Sequence, residues 1–237
     1  MPIEGAHRVR DMAKRVSARL PGVLRQAALP DDDLVDEAVL AELRYDALDL
    51  SARRARLVDV EGCRFGDASL AAANLDKVTV RDTVFDRCDL ANLTLAHSSL
   101  TRTEVVGCRA TGLVLSGATL RQVLFRDCLA DFSVWRFAAF ARVDLVDCRL
   151  QGADFVSADL SGAVFRRCDL TRAELSQVRA RGATFVDCTW DGVRGVSSLA
   201  GATIVHGSPL DAHAFMVATA GSLGIRLGDP ADFPEGD

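Results

Sequence analysis

Residues 165–170 read FRRCDL, and residues 85–90 read FDRCDL. Between these two stretches a cysteine ends the segments VVGC at 108, FRDC at 128 and LVDC at 148, and FVDC follows at 188. Six of the seven cysteines are therefore spaced by twenty residues. Self-similarity at a fixed interval of this length is the sequence signature of repeat architectures.

A shorter period of five lies inside the interval of twenty. Of the 32 positions divisible by five from 45 to 200, 31 are apolar, and Gly195 is the exception. The positions two residues earlier are mostly small, and only Arg53 among them is charged. We call each position divisible by five a central slot and each position two residues earlier a small slot. The other three positions of each five, the outward slots, carry the charges.

A period of five fits neither an α-helix at 3.6 residues nor a strand at two. It fits a coil with corners, in which each five residues form one side, two of them pointing inward. Because twenty is four fives, the coil has four sides, and the cysteines stack on one side of successive coils. The motif is visible as ADFVS 153–157, ADLSG 158–162, CDLTR 168–172 and AELSQ 173–177.

On these motifs, and over 43–202, the chain resembles the pentapeptide-repeat family. The resemblance implies an all-β solenoid, a right-handed quadrilateral parallel β-helix of four pentapeptides per coil and about eight coils. We expect helical N- and C-terminal caps on it. The expected division is an N-terminal helical cap or extension at 1–42, the β-helix at 43–205, and a C-terminal helix and tail at 206–237.

The segment before the repeat suggests two helices. Val9, Met12, Ala13, Val16 and Leu20 share one helical face, and DDDLVDEAVLAEL at 31–43 has acidic residues in its first turn. The first helix is interpreted as a cap on the open first coil. The alternative is a basic amphipathic arm for a membrane or nucleic acid.

The C-terminal segment predicts a helix with Ser208 as N-cap, Pro209 in the first position and Gly221 near its end. Two apolar stripes on it suggest burial on both sides. We therefore expect a homodimer through this end, formed by Phe215, Met216, Leu223 and Ile225. The alternative is a monomeric cap with Phe215 folded inward.

No residue pattern indicates catalysis or a cofactor. Stacked cysteines point in parallel, whereas zinc needs four converging ligands. Cysteine is also a small hydrophobe that suits the small slot. The sequence lacks HExxH, GxSxG, GxxxxGK[ST] and CxxC, and the four histidines have no motif partners. We therefore expect no enzyme, no metal and no cofactor.

One stretch breaks the polar pattern of the outward slots. In ADFSVWRFAAF, residues 130–140, the outward slots at 132, 134 and 137 hold Phe, Val and Phe, and outward valines flank them on the neighbouring coils. An exposed apolar patch often marks an interaction site. The alternative is a local bulge that turns one or both rings inward. The candidate partner patch consists of Phe132, Val134, Phe137, Val114 and Val156.

Charge limits the choice of function. Residues 41–205 carry 21 basic and 21 acidic side chains, and no side of the coil is strongly of one sign. The best-known family members protect bacterial DNA gyrase from quinolones by mimicking DNA, so the resemblance implies a gyrase-binding protein. A DNA mimic needs a continuous negative surface, which this balance does not provide. The alternative is a rigid scaffold for an unrelated protein partner.

The remaining expectations concern location. The chain has no run of about 20 apolar residues, and its first residues lack the apolar core of a secretory signal. We expect a cytoplasmic protein with free thiols that binds neither a membrane nor nucleic acid directly.

Overall fold

The computed structural model describes residues 18–206 and 208–225. It is a parallel β-solenoid of about nine turns with one short helix at its C-terminal end. The predicted all-β solenoid is therefore confirmed. The expected count of about eight coils falls one short, because the chain already forms a turn before residue 43, where β1 pairs with β3.

Within the described residues the chain forms fourteen strands, one 3-10 turn and one α-helix, in the following order. The strands are β1 (Arg25–Gln26), β2 (Val39–Ala41), β3 (Leu43–Asp46), β4 (Arg54–Arg56), β5 (Asp59–Glu61), β6 (Arg64–Gly66), β7 (Asn74–Asp76), β8 (Thr79–Asp86), β9 (Ser99–Val106), β10 (Thr119–Arg126), β11 (Ala139–Val146), β12 (Val164–Arg166), β13 (Thr184–Val186) and β14 (Thr203–Val205). The 3-10 turn is Val196–Ser198, and the helix α1 is Pro209–Ser222.

Strands pair in parallel with the strands of the next coil. The main sheet runs β1-β3-β6-β8-β9-β10-β11-β12-β13-β14, and paired residues such as Phe125 and Leu145 are twenty apart. The four strands β8 to β11 are eight residues long and turn one corner, so two sides of the coil share one sheet there. The other two sides are joined mainly by single bridges, such as that between Val114 and Val134.

The corners explain the period of five. The second residue after each central slot, which we call the corner slot, has a left-handed backbone in nearly every repeat. Examples are Asp67 with φ 51°, Asn92 with φ 55° and Gly112 with φ 70°. Glycine, asparagine and aspartate adopt this conformation at the least cost. One left-handed residue per five turns the chain through a corner after every side.

The central slots fill the interior of the coil with stacked side chains. Tyr45, Phe65 and Phe85 stack with ring centroids 4.4 and 4.8 Å apart. Phe165 and Phe185 stack at 4.7 Å. Offset stacking of this kind adds about 0.5–1.5 kcal/mol to the burial of each pair. Repetition at twenty residues therefore stabilises each coil through its neighbours.

The N-terminal prediction fails over 31–43, where the expected second helix is wrong. This segment contains the strand β2 and enters β3, and Leu34, Leu40 and Leu43 are buried in the solenoid. The Tyr45 hydroxyl donates a hydrogen bond to the Asp32 carbonyl at 2.9 Å. Pairing of β2 with β5 outweighs the helical pattern of the isolated segment. The first expected helix lies mostly in 1–17, outside the described residues.

The predicted C-terminal helix is confirmed as α1. Ser208 caps it by accepting a hydrogen bond from the Asp211 amide at 3.2 Å, and Pro209 is its first residue. The helix runs past Gly221, and the left-handed residue that follows it is Gly224, with φ 73°. Phe215 packs edge-on against Trp190 at 4.9 Å, which attaches α1 to the last coil.

Candidate partner-binding surface

Two phenylalanine rings lie outside the solenoid on a single coil. Phe132 and Phe137 are 67% and 66% exposed, so neither ring turns inward as a bulge would require. Val134 lies half-buried between them. Leu129, on the same coil, is 44% exposed and was not among the residues predicted from the sequence. We call Leu129, Phe132, Val134 and Phe137 the coil patch.

The other two predicted residues flank the coil patch. Val114 bridges Val134 from the preceding coil, and Phe137 donates its amide hydrogen to the Val156 carbonyl of the following coil at 3.2 Å. Both valines are half-buried. The structure therefore places all five predicted residues on adjacent coils.

Both phenylalanines occupy corner slots. Their φ angles are 56° for Phe132 and 58° for Phe137. A left-handed backbone costs an ordinary L-residue about 1–2 kcal/mol, and bulky side chains are rare there. Neither ring regains this energy by burial. Conformational strain retained at an exposed site motivates a functional hypothesis.

Small residues around Phe132 leave its ring accessible. The same corner slot holds Gly112 on the preceding coil and Gly152 on the following one. The Phe132 ring lies over Gly152, where an added Cβ atom would come 2.9 Å from its Cδ1 and Cε1 atoms. A glycine at this position gives the ring a flat backbone support without covering its outer face.

Charges beside the coil patch are paired. Arg136 Nε donates to Asp154 at 2.6 Å, and Arg149 Nε donates to the buried Asp131 at 2.6 Å. Asp131 also accepts a hydrogen bond from the Gln151 amide. The surroundings of the patch are therefore polar but locally neutral.

The same kind of pairing extends along the rod. Many ion pairs join residues twenty apart on stacked coils, including Arg87 with Asp67 at 2.9 Å and Arg194 with Glu174 at 2.8 Å. Burial alone would raise the pKa of Asp169, but hydrogen bonds from Thr171, Gln151 and Thr189 hold that pKa at about 2. The balanced composition thus reflects carboxylates that are matched individually across coils.

The cysteine ladder is part of the core. All seven cysteines are free and buried. Each thiol lies close to backbone carbonyls, as Cys128 Sγ does to the Arg126 oxygen at 3.2 Å and the Val105 oxygen at 3.3 Å. Burial raises the pKa of the thiol of Cys63, the one cysteine outside the ladder. In residues 18–206 and 208–225, no three His, Cys, Asp or Glu side chains are grouped to hold a metal.

At the C-terminal end, the four residues predicted to form the dimer differ in exposure. Phe215 is half-buried and contacts both Trp190 and His206. Met216, Leu223 and Ile225 are each more than half exposed.

Across the described part of the chain, no helix has the length and apolar character needed to cross a bilayer.

Comparison with known families agrees with this geometry. A family model described as a pentapeptide repeat region matches residues 78–155, and a model of eight pentapeptide repeats matches residues 148–187. Residues 78–187 of the chain form a pentapeptide-repeat region. A search of curated proteins found no match to this chain.

Solved pentapeptide-repeat structures resemble it at low identity. HetL, involved in heterocyst differentiation regulation in the cyanobacterium Nostoc sp. strain PCC 7120, is 18% identical; the match covers 72% of this chain and 84% of HetL, with a TM-score of 0.43. QnrB1, a plasmid-mediated fluoroquinolone resistance protein in a trypsin-treated form, is 19% identical; the match covers 91% of this chain and all of that one, with a TM-score of 0.38.

Proposed function

We propose that this chain is a non-enzymatic protein-interaction module that binds a protein partner through the coil patch. The observation that carries the proposal is the exposure of Phe132 and Phe137 in corner slots. Exposed aromatic rings on a rigid support are typical anchors of protein interfaces, because they bury a large area at little cost in side-chain entropy. The polar, internally paired surroundings match the polar rim of such an interface.

The corner slot allows a role of these rings in binding to be distinguished from a role in folding. A residue retained only for stability should suit the left-handed backbone, as Asn92 does in the corner slot two coils before Phe132. Phenylalanine suits it poorly and leaves an apolar ring in water. A bound partner supplies the missing burial, so the benefit of these rings lies in the complex.

We expect the double substitution Phe132→Asn with Phe137→Asn to weaken partner binding by about 100-fold or more, since two interface anchors are removed. The same variant should unfold at equal or higher urea concentration, because asparagine tolerates the left-handed backbone better than phenylalanine. The partner is sought by affinity capture with wild-type and variant chains in parallel. Binding is then measured by calorimetry with the purified partner.

Leu57→Asn is the matched control. Leu57 occupies the same corner slot as Phe137, four coils earlier, with φ 58° and 52% exposure. We expect this control to bind the partner as tightly as wild type. A partner that binds the double variant with unchanged affinity would place the interface elsewhere. A large loss of stability in the double variant would show that the rings serve the fold.

DNA gyrase is the second candidate partner. The uninterrupted solenoid and its terminal helix favour it, because gyrase-protecting members of the family resemble DNA in shape. The carboxylates paired with arginine on neighbouring coils, such as Asp67 with Arg87, count against a DNA mimic. The test is a supercoiling assay with purified gyrase, with and without a quinolone. No effect in molar excess removes gyrase and leaves the coil-patch proposal standing.

We also propose that a second copy packs on the C-terminal end. Met216 on α1 and Leu223 and Ile225 just after it are exposed apolar side chains, while Phe215 packs against Trp190 of the last coil. Light scattering at micromolar concentration should give the mass of a dimer. Met216→Asp with Ile225→Asp should give that of a monomer. A monomeric mass for the wild-type chain would contradict the proposal.

A further inference from the structure

One side of the solenoid carries an uneven charge along its length. From residue 58 onward, this side consists of five-residue segments with the central residues 60, 80, 100, 120, 140, 160 and 180. The first three segments carry two basic and three acidic side chains. The last four carry four basic side chains and one acidic side chain. A count over the whole side therefore hides a positive stretch in its second half.

The arginines in the first half of this side are paired. Arg81 meets Glu61 at 3.1 Å, and Arg102 Nε donates to Asp82 Oδ1 at 2.6 Å. Each pair joins positions twenty residues apart, which lie in one column on stacked coils. Pairing of this kind leaves the arginines of the first half little free charge for a partner.

The same columns contain unpaired arginines farther along the rod. Arg121 follows Arg81 by forty residues, and its strand neighbours are Thr101 and Ala141. Neither neighbour can form an ion pair with it. Arg181 lies three coils beyond Arg121 in this column.

Arg142 is the third unpaired arginine on this side. It occupies a corner slot with φ 60°, and the residues twenty positions before and after it are Gln122 and Gly162. Within the described part of the chain, no carboxylate lies at ion-pair distance from Arg121, Arg142 or Arg181. All three are exposed. We call Arg121, Arg142 and Arg181 the arginine patch.

Small residues separate the members of the arginine patch. Ala141 and Ser161 lie between Arg121 and Arg181 in their column, and no atom lies within 4 Å of a Cβ atom added at Gly162. The three coils from Arg121 to Arg181 span about 14 Å, which an extended peptide covers with about five residues. Alternate side chains of such a peptide point to one face, so about three of them can reach the arginine patch.

The arginine patch adjoins the coil patch. Phe137 occupies the corner at which the segment containing Arg142 begins, so the two patches share one edge. Charges on the sides that carry the coil patch are paired, as Arg136 is with Asp154. Free positive charge therefore begins beyond Phe137. A partner that buries this ring and continues past the corner meets the arginine patch.

We propose that the protein partner of the coil patch carries an extended acidic segment that lies along the arginine patch, with carboxylates at alternate positions. This inference rests on the function proposed for the coil patch. Proteins that hold duplex DNA through its backbone make about six to ten phosphate contacts. The arginine patch supplies three cations, and the first half of the same side has an excess of acidic residues. A short acidic peptide fits this surface better than a nucleic acid.

Selection from a phage-displayed library of random peptides of about twelve residues tests the proposal. Peptides selected on the wild-type chain should combine apolar residues with Asp or Glu at alternate positions. The most enriched peptide is synthesised with a fluorescent label, and its dissociation constant is measured by fluorescence polarisation. Arg121→Gln with Arg142→Gln should weaken binding about fivefold or more at about 0.1 M salt. The loss should fall below about twofold at about 1 M salt, because exposed charges are then screened.

Arg81→Gln with Arg87→Gln is the matched control. Both arginines already pair with carboxylates, Arg81 with Glu61 and Arg87 with Asp67. The control removes the same number of charges, and Arg81 shares the column of Arg121. It should change the dissociation constant by less than about twofold. Equal losses in the two double variants would overturn the proposal, because net charge alone would then explain the effect.

The outcomes separate this inference from the proposed function. Selected peptides that lose binding to Phe132→Asn with Phe137→Asn but keep it with Arg121→Gln and Arg142→Gln would overturn the role of the arginine patch and leave the coil patch standing. Peptides that depend on the arginines alone would contradict the function proposed for the coil patch and, with it, the shared surface. Tighter binding of a labelled DNA duplex than of the selected peptide would assign the arginine patch to nucleic acid and overturn the acidic segment.

Discussion

Phe165→Ala should lower the free energy of unfolding by about 3–5 kcal/mol, the cost of deleting a fully buried phenylalanine side chain. Phe165 has no exposed surface, stacks on Phe185 at 4.7 Å and meets Phe155 edge-on at 5.8 Å. Removing the ring leaves a cavity that stacked coils on both sides cannot close without shifting their own hydrogen-bond ladder. Urea unfolding followed by circular dichroism measures the change.

Two further substitutions show that the loss arises from the core. Phe165→Leu should cost less than Phe165→Ala, because Leu145 fills the same central slot one coil earlier. Phe137→Ala removes an identical side chain from an exposed corner slot and should change the free energy of unfolding by about 0.5 kcal/mol or less. Equal losses for Phe165→Ala and Phe137→Ala would contradict the division into central and corner slots.

The interior of the fold could be predicted because its geometry repeats. Each central-slot residue packs against the central-slot residues twenty positions before and after it. These contacts can therefore be read directly from the sequence. The stack of Phe165 on Phe185 is an example. The cysteine spacing predicted the four sides for the same reason, since Cys128 lies between the thiols of two adjacent coils.

The prediction failed where the repeat begins. Leu34 and Leu40 are buried as expected for apolar residues, yet the segment 31–43 contains a strand and turns instead of a helix. Its short pattern of acidic and apolar residues is compatible with either structure. The deciding contact is the pairing of Val39 with Asp59, which is twenty residues away and lies outside the segment.

The surface was only partly predictable. The five-residue pattern assigns Leu124 and Leu129 to the same outward slot, and it therefore could have identified Leu129 beside Phe132. The pattern does not show what lies over a slot. Leu124 is only 7% exposed, whereas Leu129 is 44% exposed. Likewise, counting charges in the sequence predicted that the solenoid carries no net charge. Only the structure shows which arginine pairs with which carboxylate on a neighbouring coil.

Gly195 is the one residue that interrupts the apolar central column, and the structure gives the reason. Its φ is +75°, and it caps the 3-10 turn Val196–Ser198 that leads out of the last coil. A Cβ atom added at Gly195 would lie 2.3 Å from the Ser176 amide nitrogen and 2.6 Å from the Leu175 carbonyl carbon. These are backbone atoms of the preceding coil, so they cannot move aside as a flexible side chain would.

We therefore expect Gly195→Ala to cost about 3 kcal/mol or more, the sum of left-handed strain and a backbone clash. Because coils are stabilised by their nearest neighbours, the damage should concentrate at the C-terminal end. Hydrogen exchange should accelerate in β14 and α1 and stay unchanged in β8 to β10. The control is Gly182→Ala, where φ is +69° and no atom lies within 4 Å of the added Cβ. That control should cost only the left-handed strain of about 1 kcal/mol. Equal losses in the two variants would mean that the preceding coil yields at Ser176, and that its backbone does not require a glycine at position 195.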